Sequence, residues 1–387
     1  MSMIRRYSKI IVAILSLMVI VSTVSSEVGV TENRILVGQS CALSGIASDV
    51  GQALNRGVNV YLDYINAHGG IRGRSIELIA YDDGYDPLRA AQATRKLVSI
   101  DSVFCLISEF GTPTSQAVLP LITQEKIPFL APFSGAVQLR EPFNEWVVHI
   151  RSSYRQEMEK ICEHLIDHLG YKNIACFYQA DAFGNTGLID LREALADRGM
   201  ELAAEGSYIR NSLAIQQGLA TIREAKPEAV VLIGVYMPCA VFIKSALHTP
   251  ELENAVFCGV SFVGATSFMN ALGDMGNGCI VSEVVPFPWD TTLPVVAEYN
   301  HLMKEAGYGP GQIEFVSLEG FLTAKFFCRI LERIEGEPTR EKLIEAIEKP
   351  GGFDLGGFKL SFSPNDHQGS DEVFLIEFRD NKIVLLE

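Results

Sequence analysis

Neither a Gly-Lys-Ser/Thr phosphate loop nor a His-Glu-x-x-His zinc pair occurs anywhere in this sequence, which removes two short signatures of nucleotide and metal chemistry. Low-complexity tracts are missing too, so no flexible linker lets separate domains swing freely. Positive charge is scarce. Against 47 acids stand 32 lysines and arginines, a formal net charge of −15 that disfavours nucleic acid and anionic membrane surfaces as partners. Long apolar runs reduce to one, Ile10 to Val21, which is short for a bilayer span of about 20 residues.

That run follows Arg5, Arg6 and Lys9 and precedes the small residues Ser22, Ser25 and Ser26. This is the layout of a secretory signal peptide over residues 1–26, with Val24 and Ser26 placed for cleavage before Glu27. An uncleaved anchor is the rival reading; cleavage predicts a periplasmic protein. No cysteine stands at the cut, so a lipid anchor is not indicated. Eight cysteines in an exported chain suggest disulfides, yet 387 residues form a core that needs no staples. Cys105, Cys176, Cys258 and Cys279 lie in apolar strand-like runs and read as buried free thiols, with one bridge left open.

What is present is an alternation of apolar strands and amphipathic helices, made twice. The stretch from Ile65 to Pro87 shows its unit: Leu54, Val58, Tyr61, Leu62 and Ile65 share a helix face, Gly69 and Gly70 stop the helix, and Ile76 to Tyr81 is a buried strand. Strand, helix, Gly-Gly, strand is a right-handed βαβ unit of a parallel sheet, which binds ligands beyond the carboxyl ends of its strands. The first set has strands Ile35 to Gln39, Ile76 to Tyr81, Val103 to Ile107 and Phe129 to Ala131, with helices near Gln52 to Ala67, Pro87 to Ser99 and Pro113 to Gln124. The second has Ile174 to Tyr178, Leu202 to Tyr208, Ala229 to Ile233 and Val256 to Val260, with helices near Glu157 to Leu169, Thr186 to Arg198, Ala214 to Ala225 and Ala240 to Leu247. A helical block, Val295 to Ala306 and Val316 to Ile334, precedes two late strands around Asp380-Asn381. The expected fold is α/β: two doubly wound parallel-sheet lobes joined by a hinge, residues 34–152 plus 283–368 in the first and 153–282 plus 369–387 in the second.

Candidate site residues lie in the loops after the strands. Glu109 to Ser115 leads into a helix with Pro113 in its first turn, so hydroxyls such as Thr112 sit beside free backbone donors and favour an anion; plain capping is the alternative. Ala131 to Ala136 is a second such loop, with the Ser134 hydroxyl and Gly135. On the other lobe Asp181-Ala182-Phe183-Gly184 and Tyr236-Met237-Pro238 place an aromatic after each strand, to cover a ligand's apolar part or to fill the core.

Catalytic signals are poor. Gly259 to Gly264 approaches the Gly-x-Ser-x-Gly elbow around Ser261 but lacks the second glycine, and no Asp-then-His pair follows. His164 and His168 share a helix face with metal spacing, but the helix also carries Glu157, Glu159 and Glu163 and reads as a solvated face. No catalytic residue, metal or cofactor is expected.

The strings VGQSCALSG (Val37 to Gly45), INAHGGIRGRSIELIAYDD (Ile65 to Asp83), IPFLAP (Ile127 to Pro132) and DAFGNTG (Asp181 to Gly187) carry a family resemblance. From about Ile35 to the C-terminus the chain resembles the type I periplasmic solute-binding proteins of ABC importers, typified by the leucine/isoleucine/valine-binding protein. The resemblance implies an amino acid held between the lobes, its carboxylate by the Thr112 hydroxyl and the backbone of Phe133, Ser134 and Gly135. Its ammonium would face an acid and aromatics of the opposite lobe; the aromatics fall on Phe183 and about Tyr236, but the acid falls on Ser261. Gly135 stands where the family often has threonine, Val50 where an aromatic can stand, and Tyr85 and Gly111 replace a cysteine bridge. Either Asp181 or Glu283 substitutes for the missing acid, or the ligand has no ammonium. Tyr154, at the lobe crossover, adds a phenol.

The expected function is therefore a non-enzymatic, monomeric solute-binding protein that captures a small carboxylate-bearing ligand, an amino acid or related organic acid, and delivers it to an inner-membrane permease. A ligand-sensing module for a membrane receptor and a hydrolase using Ser261 are the alternatives.

Overall fold

The computed structural model describes residues 27–386; the expected signal peptide lies outside the described residues. The first sheet has five parallel strands in the order β2-β1-β3-β4-β5: β1 Arg34–Cys41, β2 Ser75–Asp82, β3 Cys105–Ile107, β4 Phe129–Leu130 and β5 Val147–Val148. The chain winds outward from β1 to β2 and then back past β1 to β3. Order reverses there, at β1, the place where sheets of this kind bind ligands beyond the carboxyl ends of their strands.

Helix α1 (Ser48–Ala67) follows β1 and ends where Gly69 and Gly70 take φ of 94° and 69°. The Gly70 N–H returns to the Ile65 carbonyl at 2.9 Å, so the expected glycine stop is formed. Helix α2 (Pro87–Ser99) starts on Asp86, whose carboxylate accepts from the Leu88 and Arg89 N–H groups at 3.0 Å, and α3 (Thr112–Glu125) follows β3.

Seven strands make the second sheet, in the order β14-β13-β10-β9-β8-β6-β7. Five are parallel: β6 Ile174–Gln179, β7 Ala204–Tyr208, β8 Ala229–Ile233, β9 Val256–Gly259 and β10 Ile280–Glu283. The late hairpin, β13 Phe374–Arg379 and β14 Lys382–Leu385, joins antiparallel at the edge through a turn in which Asp380 and Asn381 both take positive φ. Again the order reverses, between β6 and β8. The short hairpin β11 (Phe353–Asp354) and β12 (Lys359–Leu360) stands apart.

Around this sheet run α4 (Tyr154–Cys162), α5 (Ala182–Ala196), α6 (Gln216–Ala225), α7 (Tyr236–Ala246) and α8 (Ala265–Leu272). The single helix expected from Glu157 to Leu169 is instead α4 followed by a π-helical turn over Glu163–His168. A wider turn shifts the residues after Cys162 off the 3.6-residue period, which is why spacing alone misreads it. The His164 and His168 rings are 6.1 Å apart, and among the described residues no group of three or more metal-ligating side chains gathers.

After β10 come α9 (Pro294–Glu305), α10 (Phe315–Arg333) and α11 (Arg340–Glu348). Helix α10 packs along α1 at glycines: a methyl group at Gly57 would collide with the Ser317 carbonyl oxygen, and one at Gly320 with that of Leu54. Two backbones approach that closely only without side chains between them. The helical block therefore returns to the first sheet. Three chain passes join the sheets, and two run side by side, with the His149 N–H bonding the His367 carbonyl and the Gly369 N–H bonding that of His149.

All eight cysteines are buried and free. Burial pushes their thiol pKa values up, those of Cys162 and Cys279 to about 12.

Candidate ligand-binding cleft

The first wall is made by the loops after β3 and β4, which are stitched together by their backbones. The Phe133 N–H donates to the Glu109 carbonyl at 2.8 Å and the Gly111 N–H to that of Phe133 at 3.2 Å. This corrects one expectation: both polar backbone groups of Phe133 hold the loops, and its N–H is not free for a ligand. Ser134 N–H is also engaged, on the Pro132 carbonyl. Gly135 is the loop residue whose N–H makes no hydrogen bond among the described residues. The loops bring the Thr112 and Ser134 hydroxyls to 2.7 Å, both fully buried.

Gly135 has a local reason. A Cβ there would lie 2.6 Å from the Tyr154 ring, so threonine cannot stand opposite that phenol. Tyr154 opens α4, capped by Ser153 and Gln156 in a reciprocal box, and its own N–H bonds the Gly135 carbonyl at 2.8 Å. The buried Tyr154 hydroxyl lies beside that of Thr112 without a hydrogen bond of good geometry, and Ser115 Oγ in the first turn of α3 is buried without a partner.

Behind this wall Arg140 gathers the carbonyls of Ser134, Ala136, Arg151 and Ser152 at 3.0–3.4 Å and holds Gln368 at 2.7 Å. One guanidinium thus fixes the cleft loop to the chain crossover. Burial, and then the neighbouring Arg151 charge, lowers its pKa to about 9.

On the opposite wall, Asp181 caps α5 by accepting the Phe183 N–H at 3.0 Å, takes the Gln179 amide at 2.7 Å and pairs with Arg210 at 3.1 Å. Its carboxylate is thus engaged by groups of its own sheet, so a ligand's ammonium would compete with these partners for it. Phe183 is fully buried, 5.3 Å from the Tyr154 ring and 4.5 Å from Phe262. Tyr236 begins α7, and its phenol pKa is raised by burial first and then by Asp49 of α1, across the cleft. Val50, on the same helix, lies against Gly264.

Sequence reasoning missed two residues at the centre. Phe262 comes from the turn after β9, and its ring sits 5.8, 5.1 and 5.3 Å from Tyr85, Phe110 and Phe133 of the first wall. It is the meeting point of both walls. Arg151 is the second, with no exposed side-chain surface; Nη1 is 3.4 Å from Glu319, Nη2 is 3.5 Å from Glu157 and bonds Ser261 Oγ, and the guanidinium lies 4.8 Å from the Phe133 ring centre. Burial works against its charge, yet Glu319 and Glu157 outweigh that and raise its pKa. An arginine between Ile150 and two serines was the available signal.

Ser261 belongs to this cluster. Its N–H and hydroxyl both donate to Glu157, at 2.8 and 2.9 Å, and Ser282 adds a third bond at 2.6 Å. Carboxylate and guanidinium, rather than an imidazole, are its side-chain partners. Glu283 stands beside them with Oε1 unpartnered; burial, then Glu157 and Glu319, pushes its pKa well up toward the neutral acid.

Glu109 is a buried acid on the far side of the first wall, bonded by Thr94 of α2 at 2.9 Å. Burial, with a smaller push from Asp83, drives its pKa up to about 8 despite the Thr94 hydroxyl. The native state then keeps a proton that the unfolded chain releases, so this contribution to stability is full below the ordinary 4.5 and lost as pH rises through about 8. Glu109→Gln should therefore flatten that part of the stability profile and gain on the parent at alkaline pH. Urea unfolding at about pH 5 and about pH 9 checks it; an unchanged difference between the two proteins at both values refutes it.

Direct bonds close the cleft at its rim. Gln179 donates to the Tyr85 hydroxyl at 3.2 Å, Asn211 to the Gly84 carbonyl at 3.2 Å, and Thr186 to Gln138 at 2.7 Å. The structure thus brings Thr112, Ser134, Gly135, Tyr154, Phe183 and Ser261 to one buried junction, with Tyr236 at its edge and Asp181 behind its wall.

Comparison with known proteins agrees with this architecture. Residues 34–382 match the family described as periplasmic binding protein. A possible leucine/isoleucine/valine-binding protein from Rhodopirellula baltica SH 1 is 32% identical, with a TM-score of 0.86 over 94% of this chain and 98% of that one. A substrate-binding periplasmic protein from Ralstonia solanacearum is 26% identical, with a TM-score of 0.84 over 91% of this chain and all of that one (100%). Leu/Ile/Val-binding protein homolog 7 of Brucella abortus (strain 2308) is 20% identical over 365 residues, 90% of each chain. The relatives are described as binding proteins, and the family description places its members outside the cytoplasm. The chain belongs to the periplasmic binding protein family, in its type I, Leu/Ile/Val-binding branch.

Proposed function

We propose that this protein is the solute-binding component of an ABC importer, which closes two lobes on a small carboxylate-bearing ligand and passes it to an inner-membrane permease. The lobes are residues 34–152 plus 283–368 and residues 153–282 plus 369–387, and export is through cleavage of residues 1–26. The paired hydroxyls of Thr112 and Ser134, in the loops after β3 and β4 beside the order reversal of the first sheet and next to Phe133, whose ring meets Phe262, carry this reading. Hydroxyls beside the first turn of α3 and the Gly135 N–H suit a carboxylate, and the aromatic rings suit an apolar body. Closure is favoured by what the ligand touches only when the walls meet.

A ligand that binds only the folded state raises its melting temperature, so a thermal-shift screen over amino acids, organic acids and their amides should find a stabilising acid. A charge-assisted hydrogen bond contributes roughly 1.5–3 kcal/mol, so Thr112→Ala should weaken that acid by roughly tenfold or more in calorimetry. Equal affinity in parent and variant sinks the assignment.

A further inference from the structure

An amino acid needs a counter-ion for its ammonium on the wall facing its carboxylate, and of the acids there only Glu283 has an oxygen without a partner, crowded against Glu157 and Glu319, which already share Arg151. Asp181 is held by a helix cap, Gln179 and Arg210. Glu157 accepts three hydrogen bonds from Ser261 and Ser282 and meets Arg151; Glu319 meets Arg151 as well. Glu109 is turned to Thr94. At the junction Arg151, buried against Phe133, already takes up Glu157 and Glu319, so neither carboxylate is left over for a second buried cation.

The unpartnered polar groups agree. Ser115 Oγ and Arg151 Nε are buried donors without an acceptor, and the buried Tyr154 hydroxyl, beside that of Thr112, has no acceptor of its own in good geometry. The Thr112 and Ser134 pair shares one proton between two hydroxyls, so a second O–H remains to give, and the Gly135 N–H adds another. Such a set calls for an acceptor-only head group. Around it the rings of Phe110, Phe133, Phe183 and Phe262 call for an apolar body.

We propose that the ligand is an apolar monocarboxylic acid without an α-ammonium group, gripped by the donors of the Thr112–Ser134–Tyr154 wall and covered by Phe262. This rests on the carboxylate reading of the same cleft and narrows it. It also assigns Arg151 and Ser261 as the residues that exclude amino acids, in place of an acid that would attract them.

Calorimetry with matched pairs tests it on the full chain: 3-phenylpropanoate against phenylalanine, 4-methylpentanoate against leucine, and 3-phenylpropanamide as the uncharged control. At least one desamino acid should bind at least about tenfold more tightly than its amino acid and its amide. Tyr154→Phe keeps the ring, and should weaken that acid severalfold while leaving the melting temperature of the free protein close to the parent's. Phenylalanine or leucine binding as tightly as its partner acid overturns the inference, most directly if Glu283→Gln then abolishes that binding. So does binding by none of these probes. If amide and acid bind alike and Thr112→Ala changes neither, the carboxylate grip itself fails; if acids depend on Thr112 but amino acids do too, only the narrowing fails.

Discussion

Arg151→Met should lower the free energy of unfolding by about 3–5 kcal/mol, the cost of leaving buried carboxylates without their cation. The guanidinium is the shared partner of Glu157 and Glu319, and it also bonds Ser261 and lies on the Phe133 ring. These four come from α4, α10, the turn after β9 and the loop after β4, so one substitution loosens elements of both sheets. Methionine fills a similar volume, which isolates the charge from the packing. Urea denaturation measures the loss. A triple variant with Glu157→Gln and Glu319→Gln should recover part of it, because the stranded charges go with their partner. A loss below about 1 kcal/mol, the range of exposed ion pairs, would mean that water reaches this cluster.

Phe262→Ala should cost about 3–5 kcal/mol by opening a cavity between the walls. Phe262 has no exposed surface and touches rings from both sides: Tyr85, Phe110 and Phe133 on one, Phe183 on the other. Phe262→Leu keeps most of the apolar contact and should cost under about 1.5 kcal/mol. Ligand affinity should fall in the same order, alanine worse than leucine, since this ring covers the junction. Parent-like unfolding of Phe262→Ala would show that the ring is not packed between the lobes.

Much of the scaffold was legible because it repeats physical rules at high contrast. The strand Ala229–Ile233 and the helix Pro87–Ser99 were read to the residue, one from an unbroken buried run and one from an Asp-Pro start. Helices α5 and α7 were begun about four residues late, at Thr186 and Ala240 rather than Ala182 and Tyr236. Their first turns hold Phe183 and Tyr236, which face the cleft and so break the apolar period of the core side. Strand β10 was read only as an apolar run at Cys279 and left out of the strand set, because Ser282 and Glu283, beside the buried ion cluster, interrupt its apolar pattern. Strand β5, helix α8, helix α11 and the β11–β12 hairpin are short, and short elements carry little periodicity.

The site was legible where its chemistry is local and illegible where it is a meeting of distant segments. Thr112 and Ser134 follow their own strands, and their loops announced them. Arg151 and Phe262 gain their roles only when five or more separate segments converge; a lone arginine between Ile150 and two serines hints at the first, and nothing beside Phe262 marks the second. Gly135 looked like a lost threonine; beside Tyr154 it is an exchange, one hydroxyl traded for another on the facing helix.

The eight sheltered thiols bear on how this protein must be made. In an oxidising compartment a sulfhydryl survives only while folded structure hides it, so on the proposed export route the chain passes through a vulnerable interval in which any two of the eight can be oxidised together. A wrong pair would lock together segments that belong on different strands or helices, and the chain could not finish its fold. Rapid burial of these side chains is thus a chemical safeguard as much as a packing outcome, and each later excursion to the open chain reopens the same hazard.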